Sequence, residues 1–574
     1  MNILSIIKLA RGSMGAGGAY EAVIEIAANM VGEELSFDQL RCAARVSTKE
    51  LRTLLETAAE ALLRAEREVR FGMILQIFDQ LAADGGGSEF WASRDICGQI
   101  VRLAGDVNSV RFTFPAAFRA CLTYAFRMSA QGQKVRIHYA GCIGLEHIFY
   151  DVLGILDIQN CSADERMPWD DLDGEQYELE VMLPMLGAPV RNAEELPSNL
   201  YAQMRLMPSR ASRLNYETLA IAHALARAES KAMIFVSEGE LFRMVGAEAT
   251  TRQNLVESGR LRGVISIPAG MLHDSTMVRF GLLVLAKDGE FTELVRFVDM
   301  GHPDLSRPST RGRFTMHKDA PIEAVFNGPL THDKHLSWDI ATREIVENNY
   351  VLTPARYLNA GPKEQIDALL RNSEAVELPD LVEMIRPINL QKSDEAEYTI
   401  FEAAPGDVGI RGYLDKPGRA IEVDRATYSR AANQQLKPGD VLLSIKGTIG
   451  VVGIVPDTVP GAGEREIWTA GQSLMILRTK KRSAIDPIVL YEYLSDATVQ
   501  AFIKSMAGGT VIQNLGMKDL KNFQVPIPSA EVMAEVRARF KERQNIFEEI
   551  ARLQERAAEV RAAHWPHAEL AQTD

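Results

Sequence analysis

The chain has 574 residues, 46% of them hydrophobic and 24% charged, which is the make-up of a folded globular protein and excludes a wholly disordered, collagen-like or rod-shaped chain. Its 63 Lys and Arg against 77 Asp and Glu leave a net charge of −14, so any nucleic-acid binding must come from a local basic surface. Length alone allows about three or four domains, each able to bury its own core. No apolar run reaches the roughly 18 residues that span a membrane. In MNILSIIKLARGSMGAGG the basic residues follow the apolar stretch, the reverse of a secretory signal, and the expected location is the cytoplasm. The five cysteines (Cys42, Cys97, Cys121, Cys142, Cys161) form no CxxC pair and read as reduced, mostly buried thiols, with neither a disulfide frame nor a zinc site.

In chain order, residues 1–84 read as helices. Tyr20–Val31 and Ser47–Arg67 place apolar residues three and four apart, and Ser47 with Glu50 has the spacing of a capping box. Gly85-Gly86-Gly87 breaks the pattern. From 88 to 300, candidate strands Ser109–Phe114, Lys134–Tyr139, Tyr177–Leu183, Ala232–Val236, Leu261–Ile267 and Phe280–Ala286 alternate with longer segments, among them the predicted helices Tyr216–Glu229 and Thr250–Ser258. That alternation argues for an α/β domain with a largely parallel sheet. Residues 301–384 are polar and turn-rich, with a short helical piece over Trp338–Asn348, and read as a connector. Residues 385–529 carry short strands broken by Pro438-Gly439-Asp440, Gly447, Gly450 and Gly453, as in a compact β-rich domain. Ala530–Ala563 has no Gly or Pro and spaced Val, Phe, Ile and Leu, and is predicted to be one amphipathic helix leading to the tail that ends at 574.

Lys231–Asp299 (KAMIFVSEGELFRMVGAEATTRQNLVESGRLRGVISIPAGMLHDSTMVRFGLLVLAKDGEFTELVRFVD) carries the first resemblance. Its Glu238–Arg243 loop and Gly263–Ala286 segment resemble the second half of the methyltransferase domain of type I restriction-modification modification subunits, a branch of the adenine-N6 DNA methylases. Glu347–Tyr357 resembles the polar segment ahead of that family's specificity module. Leu436–Ser444 with Gly447-Thr448-Ile449-Gly450, then Gly508-Gly509-Thr510, Leu515, Leu520 and Val525–Pro528, resemble the core of a type I target recognition domain. The chain thus looks like a modification subunit fused to one half of a specificity subunit. The expected fold is multidomain α/β: a helical N-terminal domain, a Rossmann-like methyltransferase domain over 85–300, and an α+β target recognition domain with a long terminal helix.

The resemblance also implies what an adenine-N6 methylase needs: a glycine-rich turn approaching S-adenosylmethionine, an acid for the ribose, and an Asn-Pro-Pro-aromatic loop for the flipped base. The family's leading Phe-Tyr-Thr-Pro-Arg corresponds to Phe90-Trp91-Ala92-Ser93-Arg94. The cofactor turn corresponds to Phe112-Thr113-Phe114-Pro115-Ala116-Ala117-Phe118-Arg119, which has no glycine and no acid, and Phe114 and Phe118 would crowd the cofactor. Ala140-Gly141-Cys142-Ile143-Gly144 falls one helix too late for that role and reads as an ordinary strand-to-helix turn. The catalytic loop has become Leu183-Pro184-Met185-Leu186-Gly187: Leu183 cannot accept a hydrogen bond from an adenine amine, and Leu186 offers no ring to stack on. The expectation is a methylase fold with no intact catalytic or cofactor residues, and so no cofactor.

Other enzyme chemistry lacks its motifs, since there is no HExxH, Walker A or Gly-x-Ser-x-Gly, and His147 with Asp151 at helical spacing reads as a surface pair. Residues 385–530 hold 17 Lys/Arg and 16 Asp/Glu, near neutrality in an acidic chain. Lys446, Arg478, Lys480, Lys481, Arg482, Lys504, Lys518 and Lys521 are the candidates for phosphate contact, and Thr448, Gln472, Thr510, Gln513 and Asn514 for base or backbone contact. Because the family's recognition domains work as two halves joined by helices, the resemblance implies a homodimer through the terminal helix, on double-stranded DNA, beside other subunits. Three functions stay open: a non-catalytic DNA-binding subunit of a bacterial restriction-modification-like or anti-phage system, an active adenine-N6 methyltransferase with divergent motifs, and a protein scaffold without DNA binding.

Overall fold

The structure is a computed structural model that describes residues 3–563 apart from 33–34, 84–90, 171–173, 191–195, 197–213, 228, 244–245, 274–277, 310–312, 331–332, 359–365, 367–368, 372, 394–395, 462–465 and 508–513. The chain divides into two compact units, 1–358 and 359–574. Among the described residues no helix is long and apolar enough to cross a membrane.

The first unit begins with α1 (Ile3–Val31), α2 (Lys49–Leu63) and α3 (Arg67–Ala83). The helix expected from Tyr20 is the second arm of α1, which breaks at Gly15, where φ is +75° and only glycine sits without strain. Helix α2 buries Leu51, Leu55, Ala58, Ala59 and Leu62 along one stripe. Its cap is Thr48 and not Ser47, the Thr48 side chain accepting from the Leu51 N–H at 3.1 Å.

After α4 (Arg94–Ala104) come β1 (Ser109–Thr113), α5 (Phe118–Ala130), β2 (Arg136–Ala140), α6 (Glu146–Leu156), β3 (Cys161–Asp164), β4 (Leu179–Met182), α7 (Tyr216–Ala226), β5 (Lys231–Ser237), α8 (Glu238–Phe242), α9 (Ala247–Glu257), β6 (Leu261–Ile267), β7 (Phe280–Leu285) and β8 (Leu294–Asp299). The six expected strands are all present, and α7 and α9 stand where the two crossover helices were expected. Sheet order is β11-β8-β6-β7-β5-β4-β1-β2-β3, with β11 at Ser337–Ala341. Strands β3, β2, β1, β4 and β5 pair in parallel, and β7 runs antiparallel between β5 and β6. Strand β4 is buried along its whole length and β5 from Ala232 to Val236, as helix-covered parallel strands are.

Residues 301–358 are not a connector. They form the hairpin of β9 (Ser306–Pro308) and β10 (Phe314–Met316), and β11 closes the sheet antiparallel to β8. The helix expected over Trp338–Asn348 is confined to Thr342–Glu347, because Ser337–Ala341 takes the open edge of β8, where Asp339 pairs with Arg296.

The second unit holds β12 (Ala375–Glu377), β13 (Val382–Ile385), β14 (Tyr398–Ala403), β15 (Arg419–Val423), β16 (Val441–Ser444), β17 (Val452–Ile454), β18 (Glu466–Ala470), β19 (Leu474–Thr479) and β20 (Gln524–Pro526). These form a four-stranded sheet β13-β19-β16-β17, a three-stranded sheet β15-β14-β18 and the pair β12-β20. The terminal helix spans Ala530–Ala563, as its pattern predicts. Phe540 is buried between Tyr413 and Tyr491, and Arg537–Asp486 and Arg543–Glu492 ion pairs fasten the first half of this helix to its unit.

Candidate functional site

In an open α/β sheet, ligands bind beyond the carboxyl ends of the strands where the strand order reverses. Here that switch point lies between β1 and β4, and the two motif positions read from the sequence do meet there. The Leu183 N–H donates to the Thr113 carbonyl at 3.3 Å, and Phe114 N–H to that of Ala140 at 3.1 Å. Phe112, Phe114 and Phe118 are fully buried. Phe114 holds φ at +82°, a region a bulky residue adopts only under constraint. Its ring packs on Trp169 and Tyr216 with centroids 5.5 and 6.1 Å away. The Phe118 ring stacks on Trp91 and touches Phe78, Tyr139 and Phe149. Asp79 ties Arg94 and Arg119 beside this cluster, and Arg119 donates to the Ala92 carbonyl at 3.2 Å. Phe90, also assigned to this site, lies outside the described residues.

Leu183 and Pro184 are buried, Pro115 and Leu186 half-buried, and Met185 exposed. The turn after β1 therefore carries aromatic side chains where S-adenosylmethionine needs bare backbone, and the residues present do not fit that cofactor. The turn at Ala140–Gly144 joins β2 to α6, and its Gly141 and Cys142 N–H groups donate to the carbonyls of Arg166 and Asp164. It is strand-to-helix architecture.

Sequence reasoning missed the carboxylates behind the β4 loop. Glu217, fully buried, accepts from the Gly187 N–H at 2.6 Å and the Ser237 N–H at 2.5 Å, and so pins the loop after β4 to the end of β5. Glu240 accepts from Thr218 Oγ1 at 3.0 Å and Asn215 Nδ2 at 3.3 Å. Burial first, and the neighbouring Glu217 second, push its carboxyl up to about 7. Their sequence signal is slight: acids in the first turns of α7 and α8. Deeper in the sheet, Arg111 on β1 grips Glu180 on β4 with two bonds of 2.9 and 2.7 Å, and burial holds the adjoining His223 neutral.

Asp151, paired on paper with His147, makes its ion pair with Arg41 at 2.5 Å. All five cysteines are free, and burial pushes the thiols of Cys42, Cys97, Cys142 and Cys161 up to about 12. Among the described residues no three His, Cys, Asp or Glu side chains are placed to hold a metal ion.

In the second unit, the β16–β17 hairpin gathers most of the polar candidates at one end. Lys446 bridges to Asn514, and Leu515 N–H donates to the Ile445 carbonyl at 2.8 Å. Ile445 N–H donates to the Ser473 carbonyl at 2.8 Å, which brings in the turn bearing Gln472. Gly450, at φ +88°, lies so close to Gln500 that a Cβ would meet its Oε1 at 2.5 Å. The helix Ala497–Met506 thereby sets Lys504 beside the hairpin. Lys446, Thr448, Gln472, Lys504 and Asn514 are all exposed, as are Lys518 and Lys521 on the helix that follows Leu515.

Arg478 is different. It sits toward the far end of β19, with Asp440 at 2.8 and 2.7 Å and the Gln435 carbonyl at 2.9 Å, and its Nε and Nη2 donors are spent on the fold. Lys480 likewise donates to the Pro379 carbonyl at 2.6 Å. Thr510 and Gln513 lie outside the described residues.

The two units match two families. The profile described as N-6 DNA Methylase matches residues 192–365, and that of the type I restriction modification DNA specificity domain matches 374–554. The chain thus carries an N6 DNA methylase segment joined to a type I specificity domain. It is 23% identical over 219 residues to the EcoBI type I restriction enzyme specificity subunit of Escherichia coli, a match that covers 38% of this chain. The chain spans 41% of that relative's length. Among solved structures it resembles the type I methyltransferase subunit of Streptococcus thermophilus (16% identity, 57% of this chain and 72% of that one, TM-score 0.43). It also resembles the type IIG restriction endonuclease BpuSI (10% identity, 94% and 74%, TM-score 0.48).

Proposed function

We propose that this protein is a DNA-recognition subunit of a bacterial restriction-modification-like or anti-phage system, that its methylase domain is catalytically silent, and that it works with partner subunits. The observation that carries the reading is the contrast between its two sites. The crevice at the methylase switch point is filled by Phe114, Phe118 and Trp91, while the β16–β17 end of the specificity domain offers exposed Lys446, Lys504, Lys518 and Lys521 beside Thr448, Gln472 and Asn514. Lysines there neutralise phosphates whatever the sequence, and the short polar groups among them reach base edges. Two copies joined through Ala530–Ala563 read a two-part site on double-stranded DNA. Sequestered in this fold, the methylase domain serves as a body that partners hold.

Calorimetry with S-adenosylmethionine and gel shifts across a salt series test this reading. The expected results are no heat of cofactor binding, and DNA affinity that falls steeply with salt. Binding of one cofactor per chain restores the active adenine-N6 methyltransferase reading. No DNA binding at low salt, with partner subunits present, leaves a scaffold.

A further inference from the structure

Ile410 is 88% exposed, the most of any large apolar side chain among the described residues. Val408 pairs antiparallel with Leu414, and the Gly412 N–H donates to the Gly409 carbonyl at 2.9 Å. Ile410 and the exposed Arg411 are therefore the two tip residues of a tight turn. The turn is pinned from several sides. Its Gly409 N–H donates to the Tyr413 carbonyl at 2.9 Å, and Gln544 Nε2 donates to the Arg411 carbonyl at 2.9 Å. Gly412 holds φ at +82°, and a Cβ there would meet the Tyr491 hydroxyl.

Register fixes where the tip points. Val441 pairs with Ile454 and Leu443 with Val452, so β17 runs away from the loop that joins it to β16. Tyr413 lies parallel to Ile454, whose N–H donates to the Gly412 carbonyl at 2.8 Å. Going back along the chain from Gly412 thus leads toward that loop. The tip stands at the end of the sheet that carries the exposed Lys446 and Thr448.

A single exposed isoleucine on a loose loop would need no explanation. One held out on a pinned turn, next to an arginine and at the cationic end of the domain, is presented to a partner. Isoleucine has no hydrogen-bonding atom, so it reads none of the donors and acceptors on a base edge. The apolar feature in the major groove is the 5-methyl group of thymine, which cytosine lacks. Resting on the DNA-recognition reading above, we infer that Ile410 is a specificity-determining residue that packs on the methyl group of one thymine in the bound site.

Selection from a randomised DNA duplex by the full chain at low salt, for wild type and I410A, tests this. The expected result is that I410A loses a thymine preference at one position, keeps the preferences elsewhere, and keeps the wild-type salt slope. Replacing that thymine by deoxyuridine in the selected duplex then weakens wild-type binding about fourfold, the worth of one buried methyl. I410A binds the thymine and deoxyuridine duplexes equally, and I410L still prefers thymine. Unchanged preferences in I410A, or a selected site without thymine, overturn the assignment while DNA recognition stands. A loss in I410A that is the same on both duplexes overturns it too, since the side chain would then be a wedge between base pairs. A wild-type chain that selects no DNA at all removes the recognition reading itself, and this inference with it.

Discussion

The indole of Trp91 stacks on the ring of Phe118 at 4.8 Å between centroids and 30° between planes, directly beside the turn that follows β1. Trp91 comes from the segment preceding α4 and Phe118 from the start of α5, so two stretches that flank a cofactor in the methylase pattern here meet each other. Their contact places both rings in the core of the first unit.

Replacing Phe118 with Ala is expected to destabilise the first unit by about 3–5 kcal/mol, the cost of emptying a fully buried aromatic position. A pocket residue of an open cofactor site would cost far less. Chemical denaturation monitored by far-UV circular dichroism measures it. A loss below about 1 kcal/mol would mean that the ring lines accessible space.

Glu240 gives a pH dependence with a definite sign. Its folded carboxyl is raised to about 7, above the usual 4.5, by burial and by Glu217. The folded state therefore holds more protons than the unfolded state between these values, and stability falls as pH rises from about 5 to 7, then levels off. The full effect is roughly 3 kcal/mol by linkage. Thermal melting of wild type and E240Q between pH 5 and 8 checks this: the variant should lose the downward slope. A slope unchanged in E240Q would assign it to other groups.

Phe540 anchors the terminal helix, so F540A is expected to loosen the specificity domain by about 3 kcal/mol without touching the exposed stretch beyond Gln544. A stop after residue 545 should do the opposite, keeping the domain's melting temperature and abolishing association. Differential scanning calorimetry and light scattering on the two variants separate the anchoring half of the helix from the pairing half. Truncation at 529, by contrast, would strip Phe540 from between Tyr413 and Tyr491 and confuse the two.

Much of this was legible in the amino acids, for reasons that differ by region. Strands such as Met233–Val236 and Leu282–Leu285 announce themselves because a covered strand is apolar on both faces. Cys161–Asp164 has no such pattern; it is a strand because β2 leaves an edge for it. Ser337–Ala341 was lost to a helical reading for the same reason, since only the free edge of β8 makes it extended. The stack of Trp91 on Phe118 was not legible, because the meeting of residues 91 and 118 depends on the folded path. Glu217 and Glu240 were invisible as a pair because nothing in a sequence brings the starts of α7 and α8 together. Arg478 looked like one more cation in the run through Arg482, and Asp440, its partner, lies 38 residues earlier.

That partner separates two arginine- and lysine-based roles, and so gives the sharpest test of the DNA-facing end. Lys446 is exposed on the β16–β17 hairpin and bridges through its backbone to Asn514, and among the described residues no carboxylate pairs with its ammonium. K446E should weaken binding to every DNA sequence alike and lower the salt slope by about one. Arg478, held by Asp440 and by the Gln435 carbonyl, has no such freedom. R478A should leave the salt slope unchanged and instead lower the stability of the specificity domain by about 3 kcal/mol, because it strands the buried Asp440 carboxylate. Gel shifts at several salt concentrations, read beside melting curves of the same variants, measure both effects. If R478A flattens the salt slope while the melting temperature holds, Arg478 touches DNA and the assignment of the hairpin end as the binding face fails.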